Sequence, residues 1–132
     1  MELITKELEE ELAKHPLYSN EDKPLIEQEI IVKYFNPYGV GTWLITEAEK
    51  QENGDYLFYG LAHLIEWEAG YTTLKQLEEI RDNKELMSIE RDLYLKDKTT
   101  IGEYLEANDI ETYKEYKELA DNMKKEQEAE ED

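Results

Sequence analysis

A chain of 132 residues holds one domain, and its 34 acidic against 15 basic side chains leave a formal net charge of -19. That exceeds the roughly 2 to 8 charges that keep a small domain soluble, and the field repels nucleic acid and anionic membranes while attracting basic proteins. Cysteine is absent, which excludes disulfides, thiolate zinc sites and thiol nucleophiles and points to a reducing cytoplasm.

MELITKELEEEL has neither the basic start nor the apolar block of an export signal, so a soluble, cytoplasmic protein is expected. Over residues 3–14, Ile4, Leu8 and Leu12 recur every fourth position behind Thr5, a residue suited to N-capping; this predicts a short amphipathic helix. HPLYSNEDKP then gathers two prolines with Ser, Asn and Asp and predicts a loop as far as Leu25.

From Glu29 onward, IIVKYF, TWLIT and YLFYGLAHLI are rich in β-branched and aromatic residues and predict three strands. NPYG joins the first two, with Gly39 expected to take a positive φ, and ENGD precedes the third with the favoured turn pair Asn53-Gly54. Connections this short require antiparallel pairing. The glycines of NPYGVG lead into a strand rather than a helix and lack a following Gly-Lys-Ser/Thr, so they form a hairpin turn and not a phosphate cradle.

After Gly70, Thr73 and Gln76 form a capping box for a helix carrying Leu74, Leu77 and Ile80, which ends near residue 81. LMSIERDLYL, residues 86–95, predicts a last strand. Thr100 and Glu103 make a second capping box, and Asn108-Asp109 marks a break with a fresh cap. In the final helix Ile110, Tyr113, Tyr116, Ala120 and Met123 share one face, and Glu111, Glu115 and Glu118 another; beyond Lys125 the apolar face stops and fraying is expected. The division expected is a core over 1–98 and an acidic helical extension over 99–132. Tyr113 and Tyr116 must dock on that core or on a partner.

LITKEL, VKYFNPYGVGTWLITE, GDYLFYGL, EAGYTTLKQLE and IERDLYL, in this order and spacing over about residues 1–96, resemble the family of domain of unknown function 2958. The resemblance implies Trp43, Glu47, Gly60, Glu68, Gly70, Tyr71, Leu74, Leu77, Glu90, Arg91 and Asp92 as the favoured pattern, and no catalytic role. It also implies a setting: such proteins are commonly encoded on bacterial plasmids, conjugative elements and phages, often among genes that deal with host defence.

Glu47, Glu66, Glu68, Glu90 and Asp92 could supply a metal site or an acid/base pair if two converged. The structural alternative is that Arg91 neutralises one or two of them, with Glu47 its expected partner. His63 and Glu66 have H-x-x-E spacing, which serves a metal only on a helix, and the local pattern is strand. His15 is the only other histidine, and Ser19 and Ser88 lack a nucleophile elbow. Trp43 and Trp67 are expected between sheet and helices.

The fold expected is α+β: a small, mostly antiparallel sheet of four or five strands with short helices, and an acidic C-terminal helical extension. The function expected is non-catalytic inhibition, with no cofactor or metal. Glu103, Glu106, Glu111, Glu115 and Glu118 would imitate phosphates in the basic nucleic-acid cleft of a host defence nuclease or restriction complex, in the anti-CRISPR or anti-restriction manner. Carboxylates four and seven apart on a helix stand about 6 and 10.5 Å apart along its axis, against roughly 3.4 Å between phosphates of one strand. The alternative is a small enzyme or ligand-binding domain with a pocket of Glu47, Glu68 and Arg91.

Overall fold

The computed structural model describes residues 1–83 and 88–131. Its elements are α1 (Lys6–Leu12), a 3-10 turn (Leu25–Glu27), β1 (Val32–Phe35), β2 (Thr42–Lys50), β3 (Tyr56–His63), β4 (Trp67–Thr73), α2 (Leu74–Asp82), β5 (Glu90–Arg91), α3 (Ile101–Asn108) and α4 (Ile110–Glu131). The five strands pair antiparallel in the order β4-β3-β2-β1-β5, an α+β fold as the patterning predicts. Thr5, Thr73 and Thr100 cap α1, α2 and α3 through their side chains, the last two in complete capping boxes.

Strand alternation gives the sheet two buried faces. On the first, Val32, Tyr34, Trp43, Ile45 and Phe58 pack with Leu3 and Leu12 from around α1 and with Leu74 and Leu77 of α2. The hydroxyl of fully buried Tyr34 donates to Leu3 O at 2.7 Å. On the second, Leu44 and Leu61 pack with Ile101 and Leu105 of α3, and Tyr113 and Tyr116 of α4 lie against them. The residues after 98 are therefore a third layer of the core. Tyr113 and Tyr116 dock on the chain's own core.

Four details depart from the sequence expectation. The run WEAGYTT is a strand, the edge strand β4, although its alternation is masked by Glu68, Ala69, Gly70 and Tyr71, all exposed. The positive φ in the first hairpin falls at Gly41 (133°) instead of Gly39, because Asn36 accepts from Tyr38 N and donates to Val40 O, so the chain turns later. α4 stays helical to Glu131, since Glu, Lys, Gln and Ala are strong helix formers even without an apolar face. Of the strand predicted over 86–95, residues 86 and 87 lie outside the described residues, and pairing is confined to Glu90 and Arg91.

Candidate functional site

Glu47, Glu68 and Arg91 do not form a pocket. A β-bulge between Ile45 and Glu47 turns the Glu47 side chain to the second face beside Tyr59, where it is 5% exposed. Its two carboxylate oxygens accept from Tyr18 N and Asn20 N, both at 2.9 Å. Tyr18 holds a left-handed backbone (φ 72°) there, and Ala48 N donates to His15 O, so the proline-bounded loop is laced along β2. Glu47 is the anchor of that loop and not a partner of Arg91. The sequence could not show this, because a carboxylate's acceptors are satisfied as well by amides 27 and 29 residues away as by a guanidinium.

Arg91 stands in register with Tyr34, and Tyr34 with Trp43, Trp43 with Ala62 and Ala62 with Glu68. Four strand spacings, about 19 Å, separate Arg91 from Glu68. Burial raises the Tyr34 hydroxyl above its ordinary range, and the Arg91 charge opposes the shift. The cation that neutralises a carboxylate near β5 is Lys33, whose Nζ lies 3.3 Å from Asp92 Oδ2 with both side chains mostly buried. The same ammonium sits 5.0 Å from the ring centroids of Phe35 and Tyr104 and so links β1 to α3.

His63 is on a strand, its ring 5.0 Å from that of Trp67, and Glu66 belongs to the exposed β3–β4 hairpin. Glu90 is half-buried beside Phe35. Among the described residues, no three His, Asp or Glu side chains gather as metal ligands. Among them, too, no helix is long and apolar enough to cross a membrane.

The five glutamates of the helices are all exposed. Glu103 is also engaged as a cap, its Oε1 accepting from Thr100 N at 3.1 Å, and Glu111 pairs with Lys114 at 3.5 Å. The side chains of Glu106, Glu115 and Glu118 make neither an ion pair nor a hydrogen bond among the described residues. The opposite sides of these helices are fixed by Leu105, Tyr113, Tyr116 and Ala120.

A feature without a sequence signal lies on the first face, past the reach of α1. A groove of about 800 Å³ runs between α2 and the β3–β4 hairpin, walled by Trp43, Ile45 and Ile80 and floored at Gly60 and Gly70. These glycines face each other in register, for different reasons. A Cβ at Gly60 would collide with the carbonyl oxygen of Leu44, whereas one at Gly70 would meet nothing within 4 Å. Only pairing β4 with β3 puts the two glycines together, and β4 is the strand that the sequence conceals.

No curated protein and no solved structure gives a significant match to this chain. A family model does match, over residues 3–114, which takes in α3 and the start of α4 beyond the segment where the sequence shows its resemblance. The chain belongs to that family, described as protein of unknown function (DUF2958).

Proposed function

We propose that this protein is a non-catalytic inhibitor from a mobile element or phage that occupies the basic nucleic-acid cleft of a host defence nuclease or restriction complex. The observation that carries the reading is the stance of Glu106, Glu115 and Glu118: exposed, in no ion pair among the described residues, on helices whose other sides are buried in the core. The packed helices leave only side-chain rotamers to be ordered when a partner's Lys and Arg arrive, which lowers the cost of association. Glu111, on α4 with Glu115 and Glu118, is shared with Lys114, and the net charge of -19 steers basic partners toward these helices. The separation of Glu47, Glu68 and Arg91 removes the support that a carboxylate-arginine pocket would have lent to an enzyme.

The test is a triple charge reversal, Glu106→Lys, Glu115→Lys and Glu118→Lys, assayed against nucleic-acid-binding proteins captured from host extract. The parent should compete with DNA or RNA for them and bind far more weakly as salt rises from about 50 to about 300 mM. The variant should associate more slowly with little change in dissociation rate, since a distributed field acts chiefly on encounter. Capture of metabolic enzymes alone, or binding unaltered by the reversal and by salt, overturns the reading.

A further inference from the structure

We propose that the free edge of β4 receives an additional strand, an extended basic segment of a partner protein whose alternate apolar side chains enter the groove between α2 and the β3–β4 hairpin. β4 ends the sheet, and one of its two edges is paired with β3. On the other edge every second residue presents its N–H and C=O outward. Edge strands are normally guarded by lysine, proline, a bulge or a covering element. WEAGYTT contains neither lysine nor proline, and its one charge, Glu68, repels acidic strands but not a basic one; its register with β3 runs unbroken from Leu57↔Thr73 to His63↔Trp67, Glu68 to Tyr71 are exposed, and among the described residues no strand pairs with its outer edge.

Gly70 supplies an independent reason. Its φ is not in the left-handed region and a Cβ there has open space, so neither backbone nor packing requires glycine. The bare position leaves the groove floor open to the side chains of an added strand. The groove's charges then choose the occupant. Its charged lining residues are Glu66, Glu68 and Glu79, with no Lys, Arg or His among the described residues that line it. Apolar Ile65, 95% exposed, and Leu64 stand at the hairpin end for the segment's apolar side chains. A second copy of this chain is disfavoured as occupant, because each copy would bring another -19 charges to the same edge.

This inference is independent of the acidic-helix reading, since α3 and α4 cover the other face. The probe is a labelled peptide alternating lysine and valine, matched to the seven residues of β4 and followed by fluorescence anisotropy. It should bind the full chain, and about tenfold or more should be lost when alternate peptide nitrogens are N-methylated or when glutamate replaces its lysines. Gly70→Leu should cause a similar loss with an unchanged melt, while the triple reversal on α3 and α4 should leave peptide binding within about twofold. Equal binding of the N-methylated peptide reduces the contact to charge and overturns the proposal, as does absence of binding. Loss of peptide binding in the triple variant would place the peptide on the helices, and sedimentation showing β4-mediated dimers without peptide would make a second copy the occupant; either outcome also overturns it.

Discussion

The indole N–H of Trp67, the first residue of β4, donates to Asp109 Oδ2 at 3.2 Å, so the residue that opens α4 is fastened to the sheet. The other oxygen, Oδ1, accepts from Thr112 N at 3.2 Å and caps the helix. The Thr112 backbone N–H, then the Thr112 side chain and the Trp67 indole, hold the Asp109 carboxyl below its ordinary range. A carboxyl depressed in the folded state stabilises fully above its unfolded pKa, about 3.9, and loses that contribution as pH falls through the folded value. Asp109→Asn keeps an oxygen for capping and should melt with a shallower pH dependence below about pH 4, while Asp109→Ala should also shift Trp67 fluorescence. A pH dependence unchanged in both would remove Asp109 from the linkage.

Glu47→Gln places an amide nitrogen against one of two backbone donors that the carboxylate now satisfies. Urea unfolding should show a loss of about 2 to 4 kcal/mol. Limited proteolysis should cut sooner between residues 16 and 24, because the loop loses its anchor. Binding by the acidic helices should be unaffected.

Gly60→Ala and Gly70→Ala are chemically identical changes at facing positions with opposite expected results. The first drives a methyl into the Leu44 carbonyl and should cost about 3 kcal/mol or more, through displacement of β2 from β3. The second meets open space and should stay within about 0.5 kcal/mol. Thermal melts of the pair suffice.

A chain ending at residue 98 should fail to melt cooperatively and should bind a hydrophobic dye, since Ile30, Leu44 and Leu61 would lose Ile101 and Leu105. A cooperative melt of that fragment would make α3 and α4 dispensable to the sheet.

What could be read in advance followed from how local its cause was. Thr73-Gln76 and Thr100-Glu103 are contacts three residues apart, and both helix starts are found where their side chains place them. Strands β1 to β3 announced themselves by residue type because they are buried. β4 did not: an edge strand with little burial needs no apolar alternation. For the carboxylates near β5 the sequence points to Arg91, and only the register of β1 with β5 sets Lys33 beside Asp92. The exposure of the helix glutamates was legible from the 3.6-residue period. The groove was not, because it exists only between elements distant in sequence.

The layering of the sheet sets the order in which the protein can be made. Leu44 and Leu61 leave the ribosome long before Leu105, and the bonds Ile30 N to Thr99 O and Ile101 N to Gln28 O close only once that late segment has emerged. Until then the nascent chain has one finished face and one wet, apolar one, which the cell's chaperones can bind. The acids of α3 and α4 emerge together with Ile101 and Leu105, the hydrophobic residues that end this exposure.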